Sequence, residues 1–330
     1  MTLTEEDLIQ LFYYKFTETP LLKRMDAVKD YFIDSWETLK GRNISEDDQE
    51  MLQMKFDKMY TTKDIYTIYN WMLDDCDCDL LPEVPYEKRK LPYEDVFPML
   101  YLKYRLSGGN STHKNIKHLV IDEMQDYTYL QYTILESLFH CRMTILGDRA
   151  QTLDTKQQDV LRFLPKLLGR EIRTIEIKKS YRNTLEIARY AEKVSGVSDL
   201  ELLDRHGKEV VEKTFNTDTE LLDELVCHLK CPGDFETAAL LTTTEEEAFD
   251  LSRLLKLRGI NVSYVDRNSS AFKKGLTVTT FYLAKGLEFD QVFALRGAKE
   301  NPLKNQAEYI CATRALHELY VYEIANSLSK

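Results

Sequence analysis

Residues 118–126 read His-Leu-Val-Ile-Asp-Glu-Met-Gln-Asp, an apolar run that ends in two adjacent carboxylates, Asp122 and Glu123. Leu130, Ile134 and Leu138 follow at helical spacing. In a parallel α/β sheet, ligands bind at the carboxyl ends of strands, where two acids can hold a hydrated Mg²⁺ and activate a water. A strand followed by a helix with an acidic first turn, which the helix dipole favours, explains the same pattern. Both interpretations stay open at this point.

Outward from this stretch, short apolar runs alternate with amphipathic patterns from residue 116 onward. This alternation predicts an α/β fold with a parallel sheet and helices on its faces. The predicted strands are 118–121, 143–146, 172–177, 237–242, 276–280, 292–295 and 319–323. The predicted helices are 129–139, 156–167, 183–195, 217–230, 245–258 and 304–317. Gly169 and Arg170 mark a predicted boundary between two lobes.

Residues 1–115 are predicted to be mainly helical. Thr4 and Asp7 resemble a capping box that opens the first helix, and Gly41 can end the second. The stretch 74–79 reads Asp-Asp-Cys-Asp-Cys-Asp and could be imagined as a metal site. It lacks the spacing of zinc ligands, so the pattern favours a solvated acidic turn.

The composition excludes several classes of protein. The chain has 330 residues, of which 43% are hydrophobic and 30% are charged, as in globular proteins with about two domains. It contains no apolar run near the roughly 20 residues that span a bilayer, and its start does not resemble a signal peptide. Six mostly isolated cysteines favour reduced thiols. We therefore expect a cytoplasmic protein that does not enter a membrane.

The net charge of −11 argues against tight, nonspecific binding of nucleic acid by the whole surface. It leaves room for a local basic groove.

Further polar side chains follow the predicted strands or lie on the last predicted helix. Asp148 and Gln151 come after strand 143–146, and a glutamine there can hold a water or a phosphate oxygen, although Asp148 could simply cap a helix. Tyr181 can stack on a base, and Arg182 can bind phosphate with its guanidinium fork. A glycine-centred loop at 284–290 and Arg314 complete the set. Its residues lie in five stretches: 120–126, 146–151, 180–183, 284–290 and 312–315.

These five stretches, in this order, resemble motifs of the carboxyl-terminal part of UvrD/Rep-type superfamily one helicases. They read Val-Ile-Asp-Glu-Met-Gln-Asp, Leu-Gly-Asp-Arg-Ala-Gln, Ser-Tyr-Arg-Asn, Ala-Lys-Gly-Leu-Glu-Phe-Asp and Ala-Thr-Arg-Ala. They span about two thirds of the chain, roughly residues 118 to 323. Within that group, residues 282–290, 91–95 and 100–103 look most like HelD, a motor that associates with bacterial RNA polymerase.

The resemblance implies a RecA-like (P-loop NTPase-type) fold with parallel sheets flanked by helices. The implied organisation is an accessory helical region at 1–115, the carboxyl-terminal part of the first lobe at 116–170 and the second lobe at 171–330. It also implies a cytoplasmic, DNA-binding ATP hydrolase, with ATP and Mg²⁺ as cofactors. DNA, single-stranded or duplex, and RNA polymerase are the implied partners.

The resemblance also implies a role for each matching residue. Catalytic roles fall to Glu123, which polarises the attacking water, to Gln151, which senses the γ-phosphate, and to the γ-phosphate ligands Arg182 and Arg314. Asp122 binds Mg²⁺. The remaining nucleotide-site residues are Gln125, Asp148, Tyr181, Gly286 and Glu288. Phosphoryl transfer needs chiefly a metal, an oriented water and cations around the migrating charge, which this set would supply.

Two departures from the family pattern matter. The phosphate-binding run Gly-x-x-x-x-Gly-Lys-Ser/Thr does not occur in the sequence, so we expect poor ATP binding and no hydrolysis by this chain alone. A missing amino-terminal part of the motor would supply that loop. Residues 280–282 read Thr-Phe-Tyr where these helicases usually carry Thr-Ile-His, which puts a contact of that histidine in doubt.

Two functional hypotheses follow. The first is a carboxyl-terminal motor fragment of an ATP-dependent DNA helicase or translocase that remodels nucleic acid or RNA polymerase. The alternative is a non-catalytic, helicase-like module that binds protein and has no ATPase activity.

Overall fold

The computed structural model describes residues 4–108, 115–153, 160–169, 171–196, 201–230, 235–269, 274–297 and 302–325. The chain divides into two compact units. The helical unit comprises residues 1–120 and 127–144, and the sheet unit comprises residues 121–126 and 145–330. The lobe boundaries at 116–170 and 171–330 stay a prediction.

The helical unit is built from helices with a short strand pair. Its helices are α1 (Glu5–Ile9), a π-helix (Gln10–Lys15), α2 (Leu21–Lys40), α3 (Glu46–Asp57), α4 (Ile65–Asp75), a 3-10 turn (Tyr86–Lys88), α5 (Tyr93–Ser107) and α6 (Tyr129–Leu138). Strands β1 (His118–Ile121) and β2 (Arg142–Ile145) pair with each other. The predicted helical region is therefore confirmed.

Local sequence explains where these helices begin and end. The Thr4 hydroxyl accepts a hydrogen bond from the Asp7 amide, and the Asp7 carboxylate accepts one from the Thr4 amide, which forms the predicted capping box. Helix α2 ends at Gly41, whose φ of 64° lies in the left-handed region.

Cys76 and Cys78 in the acidic turn are exposed.

The sheet unit contains the larger sheet. Its strands are β3 (Lys179–Ser180), β4 (Glu201–Leu202), β5 (Val211–Phe215), β6 (Thr237–Thr242), β7 (Ser263–Tyr264), β8 (Gly275–Thr280), β9 (Phe289–Arg296) and β10 (Ala315–Ile324). Its α-helices are α7 (Val160–Leu168), α8 (Leu185–Ser195), α9 (Asp218–Lys230), α10 (Glu245–Leu257) and α11 (Lys304–Arg314). Short 3-10 turns occur at Met124–Asp126 and Arg149–Gln151.

Six of these strands form one all-parallel sheet in the order β5-β10-β9-β6-β8-β7. Alternate residues of a strand point to opposite faces, so the side chains of one strand pack into two hydrophobic cores, one on each face of the sheet. Val292 packs with α8 and α11 on one face, while its neighbour Phe293 packs with α9 and α10 on the other. The predicted fold class, a parallel sheet flanked by helices, is confirmed.

The predicted strand 172–177 is wrong. Residues 171–178 have no regular secondary structure, and the nearby strand β3 covers only Lys179–Ser180, paired with β4. Ile175 and Ile177 are 69% and 80% exposed. A strand of a parallel sheet is stabilised by burial and by hydrogen-bonded neighbours, and this segment has neither among the described residues.

The predicted helix 304–317 is correct only up to Arg314. Strand β10 begins at Ala315 without an intervening loop, so Arg314 is fixed between a helix and a strand. Strand β5 was not predicted, because Val211–Phe215 carries two charged residues and is short. Part of helix 156–167, the boundary residue Arg170 and part of the loop after α5 lie outside the described residues.

Candidate functional site

The Asp122–Glu123 turn lies directly after strand β1. The Leu146 amide donates to the Ile121 carbonyl at 2.8 Å, and the Met124 amide donates to the Leu146 carbonyl at 2.8 Å. The Asp122 carboxylate accepts the Glu123 amide at 2.8 Å. Glu123 has a φ of 52°, a left-handed conformation that costs energy in a residue with a Cβ. The two carboxylates are thus held in a strained turn at the end of a strand.

Gln125 joins this turn to the next one. Its amide nitrogen donates to the Glu123 carboxylate, and its amide oxygen accepts the Asp148 amide at 3.0 Å. The close approach depends on Gly147, where an added Cβ would lie 2.5 Å from the Gln125 oxygen and 2.6 Å from the Met124 nitrogen. Gly147 is therefore a structural requirement of the site that the sequence motif contains but does not explain.

Asp148 connects the 148–151 turn with helix α11. Its carboxylate accepts hydrogen bonds from the Gln151 side-chain amide at 2.9 Å and from the Tyr309 hydroxyl at 2.8 Å. The same carboxylate accepts the Ala150 amide at 3.0 Å, which caps the 3-10 turn. The capping interpretation of Asp148 is confirmed, and its role at a nucleotide site stays a prediction.

Arg314 is only 2% exposed, and its guanidinium donates to the Gln151 side-chain oxygen at 3.1 Å. It also donates to the Thr313 hydroxyl at 3.1 Å and to the Leu287 carbonyl at 3.4 Å. Burial lowers the pKa of Arg314, and the positive charge of Arg182 lowers it further. Its hydrogen-bond partners among the described residues are all neutral, and the charges of Glu123 and Glu288 partly offset the lowering of its pKa. A bound anion could therefore still form a charge-assisted hydrogen bond with it.

Arg182 and Glu288 form an ion pair, with Nε 2.7 Å from a carboxylate oxygen. The following residue, Asn183, donates its side-chain amide to the carbonyls of Ala312 at 3.2 Å and Ala315 at 2.6 Å. These bonds fasten the Tyr181–Asn183 stretch to the end of α11. Asn183 is therefore a positioning group that was not among the predicted site residues.

Tyr181 and Gly286 border the same region. The Tyr181 ring is 63% exposed, and Lys179 lies over it with its Nζ 5.4 Å from the ring centroid. Gly286 adopts a φ of 79°, and a Cβ there would meet nothing within 4 Å, so backbone conformation alone favours glycine. An open groove of about 630 Å³ lies beside these residues, lined among others by Arg182, Arg205 and Thr313.

Lys285 is a site residue that the sequence prediction missed. Its side chain is 9% exposed, and its Nζ donates to both carboxylate oxygens of Asp126, at 2.8 and 2.6 Å, and to the Gln151 carbonyl at 2.9 Å. Glu123 lies 3.8 Å away. Lys285 lies within the Ala-Lys-Gly-Leu-Glu stretch of the resemblance, from which only Gly286 and Glu288 were predicted to be site residues.

The departure at residues 280–282 has a structural outcome. Phe281 is buried in the core, and the Tyr282 hydroxyl donates to Glu245 on helix α10 at 3.0 Å. Tyr282 thus has an intramolecular partner, and no nucleotide contact needs to be assigned to it.

The donor set also limits what metal could bind. Among the described residues, no group of three His, Cys, Asp or Glu side chains could hold a metal ion. Mg²⁺ is commonly bound by one or two carboxylates together with substrate phosphates and waters. Asp122 and Glu123 therefore fit a Mg²⁺ that arrives with a nucleotide, and they do not fit a resident ion held by protein alone.

Within the described ranges, no helix combines the length and apolarity that crossing a bilayer would require.

No protein-family model matches the chain, and no curated protein matches it. The chain is similar to the crystal structure of the C-terminal domain of a possible DNA helicase from Lactobacillus plantarum WCFS1. The two are 25% identical, the match covers 44% of this chain and 88% of that chain, and the TM-score is 0.37. Functional interpretation therefore depends on the residues of the site itself.

Proposed function

We propose that this chain is the carboxyl-terminal motor part of an ATP-dependent DNA helicase or translocase of the UvrD/Rep kind. One observation carries the proposal. Glu123, Gln125, Asp148, Gln151 and Arg314 form one continuous hydrogen-bonded chain within the sheet unit, although they come from three separate stretches of sequence. A helicase-like site needs this convergence, whereas three unrelated stretches of sequence would have no chemical reason to share one hydrogen-bonded chain.

The proposed roles follow from the chemistry of each group. Asp122 would hold Mg²⁺ that arrives with ATP, and Glu123 would orient the attacking water. Gln151 would sense the γ-phosphate and pass its presence through Asp148 to helix α11. When bound, Mg²⁺-ATP would supply the phosphoryl group, and the protein would supply position and charge.

The cations of the site support an anionic ligand. Arg314 has neutral hydrogen-bond partners, and Arg182 has Glu288 as its only ion-pair partner among the described residues. A γ-phosphate between them would relieve the repulsion that Arg182 exerts on Arg314. Tyr181 and Lys179 at the exposed groove would contact the base and the outer phosphates, while Gly286 and Glu288 would face the ribose or phosphate.

The phosphate loop would have to come from another segment of polypeptide, since the sequence has no Gly-x-x-x-x-Gly-Lys run. With that segment, the site would have amides and a lysine for the β- and γ-phosphates. We propose this amino-terminal motor part as a partner of the sheet unit.

DNA and RNA polymerase are the proposed larger partners. The net charge of −11 weakens the case for a chain that tracks DNA alone, because phosphate neutralisation drives such binding. An acidic motor that works on basic surfaces of RNA polymerase, as the HelD-like stretches suggest, would tolerate this charge. Co-purification with RNA polymerase would support that role, and DNA binding that falls steeply with salt, without polymerase association, would count against it.

A non-catalytic binding module is the second candidate, and Lys285 favours it. This lysine already neutralises Asp126 and lies near Glu123, so the acidic turn is stable without Mg²⁺. In that case the hydrogen-bonded chain would serve to hold the turn and helix α11 together.

Turnover of Mg²⁺-ATP by the purified chain, measured beside Glu123→Gln, tests the catalytic assignment. We expect no turnover by either protein while the phosphate loop is absent, and turnover that depends on Glu123 once an amino-terminal motor part is supplied. Turnover that persists in Glu123→Gln would contradict the role of Glu123. Turnover by this chain alone that Glu123→Gln abolishes would support that role and show that the loop is dispensable.

A further inference from the structure

Helix α11 carries two contacts of the candidate site. The Tyr309 hydroxyl donates to Asp148 at 2.8 Å, and the Arg314 guanidinium donates to Gln151 at 3.1 Å. Both contacts depend on where the helix lies along its axis and how it is rotated. Whatever fixes α11 therefore fixes the geometry between Asp148, Gln151 and Arg314.

A buried ion pair fastens α11 through Glu308, the residue before Tyr309. Glu308 is 8% exposed, and Arg296 from the end of β9 binds both of its carboxylate oxygens, with Nε at 2.8 Å and Nη2 at 2.9 Å. The Tyr190 hydroxyl of helix α8 donates to the same carboxylate at 2.9 Å. A bidentate guanidinium–carboxylate pair restrains both distance and orientation, which a single hydrogen bond does not.

Arg296 is the last residue of β9, and its side chain also binds the two strands beyond β9 in the sheet. Its guanidinium binds Glu323 of β10 at 3.1 Å and Glu212 of β5 at 3.0 Å. Burial by itself lowers the pKa of Arg296, but hydrogen bonds and charge from Glu308 outweigh it and raise the pKa above the ordinary value. The guanidinium is therefore always charged, and it connects three neighbouring strands to one helix.

Stability does not explain this cluster. Desolvating the charges of a buried ion pair costs about as much as their attraction returns, and apolar residues of similar size often replace such pairs without loss. Ile310 and Ala312 on α11 already pack in the core beside α8. The guanidinium–carboxylate pair fixes the orientation of the two side chains, and an apolar pair would not.

We propose that Arg296, acting through Glu308, is a positioning residue for the Tyr309–Asp148 and Arg314–Gln151 contacts. This assignment rests on the proposed function, because it names the residue that fixes where Tyr309 and Arg314 lie relative to Asp148 and Gln151 in that site. Nothing in the five helicase-like stretches includes Arg296 or Glu308, so the resemblance does not supply this role.

NMR of the folded 330-residue chain, labelled with ¹⁵N and ¹³C in its arginine guanidinium groups, tests the proposal. Arg314 should show slowed rotation of its guanidinium because Gln151, Thr313 and the Leu287 carbonyl hold it. An Arg314→Lys variant assigns its signal. No nucleotide is needed, so a failure here is distinguishable from a failure of the proposed ATP site.

Two variants separate positioning from stability. Arg296→Lys keeps a positive charge but loses the fork. The double variant Arg296→Met with Glu308→Leu removes both charges and leaves an apolar contact that should fold. The matched control is Arg258→Lys, which changes an exposed ion pair with Asp223 in the same unit.

We expect Arg296→Lys to shift the Arg314 signal and to speed its guanidinium rotation by about tenfold, the factor that corresponds to losing one charge-assisted hydrogen bond. The folded double variant should show the same change, and Arg258→Lys should show none. The proposal is overturned if the Arg314 signal of Arg296→Lys matches that of the parent chain, or if the folded double variant keeps it.

Discussion

Two arginines at helix α11 have surroundings of opposite character: Arg296, which binds Glu308 on the helix, and Arg314, which is the last residue of the helix. Arg296 lies among three carboxylates, Glu212, Glu308 and Glu323. Arg314 has only neutral hydrogen-bond partners among the described residues, and burial, followed by the positive charge of Arg182, lowers its pKa. The first arginine is saturated by the protein and suits a structural task. The second feels the charges of Glu123 and Glu288 but forms no hydrogen bond with a carboxylate among the described residues, so it can still bond to an anion such as phosphate.

Removal of each arginine in turn should give the largest difference. Arg296→Met leaves Glu308 buried without its cation, and we expect the free energy of unfolding to fall by about 3 kcal/mol. Arg314→Met removes a buried charge that, among the described residues, has no carboxylate as ion-pair partner, and we expect a fall of about 1 kcal/mol from the unsatisfied Gln151 oxygen. Urea unfolding of both variants measures the difference. Equal losses, or a larger loss for Arg314→Met, would contradict the contrast.

The contact that joins the Asp122–Glu123 turn to the 148–151 turn should be sensitive to one methyl group added at Gly147. Gly147→Ala places a Cβ 2.5 Å from Gln125 and 2.6 Å from the Met124 nitrogen, and we expect a loss of about 2 kcal/mol of unfolding free energy. The control Gly259→Ala has open space around the added atom and strains only a positive φ, so it should cost about 1 kcal/mol. Thermal unfolding of both variants measures the two losses. An equal cost for the two would mean that the turn can shift away.

Strain in the acidic turn gives a smaller effect. Glu123→Gly and Glu123→Ala both lose the hydrogen bond with Gln125, but only alanine keeps a Cβ at a φ of 52°. We expect the glycine variant to be more stable than the alanine variant by about 1 kcal/mol. Urea unfolding of the two proteins decides. Equal stability would show that the left-handed conformation relaxes once the carboxylate is gone.

The smallest effect concerns pH at the edge of the sheet unit. His206 lies 2.8 Å from Glu186 and 2.9 Å from Asp204. The hydrogen bond and charge of Glu186, with help from Asp204, raise the pKa of His206 above 6.5, and the hydrogen bond from His206 lowers the pKa of Glu186 from 4.5 to about 2. The histidine contribution is complete below pH 6.5 and is lost as pH rises through the raised pKa. The glutamate contribution is complete above pH 4.5 and is lost as pH falls toward 2.

We therefore expect the stability difference between the parent chain and His206→Gln to be largest between pH 4.5 and 6.5. Urea midpoints across the pH range measure it. A difference that stays constant from pH 5 to pH 9 would show that the pair does not form in solution.

The sequence predicted much of the fold because the dominant signals are local. Capping residues such as Thr4 and Asp7 accept hydrogen bonds from backbone amides at the start of their own helix. Buried strands such as Thr237–Thr242 are apolar at most positions. Residues 172–177 have the composition of a strand, yet strand formation also needs a neighbour with free backbone groups. That condition is set by the rest of the fold and cannot be read from the segment.

The candidate site was predictable only in part, for a similar reason. Glu123 and Arg314 belong to stretches that can be recognised in the sequence by their residue types and by their order along the chain. Lys285, Asn183 and Arg296 act through partners that are distant in sequence, and no pattern within their own stretches names Asp126, Ala312 or Glu308. Only the folded chain brings each pair together.

The most direct test of the central claim, that the Arg182–Arg314 side of the site binds nucleotide phosphates, is equilibrium dialysis of Mg²⁺-ATP against the purified chain at low salt. We predict weak binding that falls about tenfold in Arg182→Ala, the loss expected for one charge-assisted hydrogen bond, and that is unchanged in Arg258→Ala. Binding that Arg182→Ala leaves intact, or that both variants weaken equally, would show that Arg182 does not bind a nucleotide phosphate.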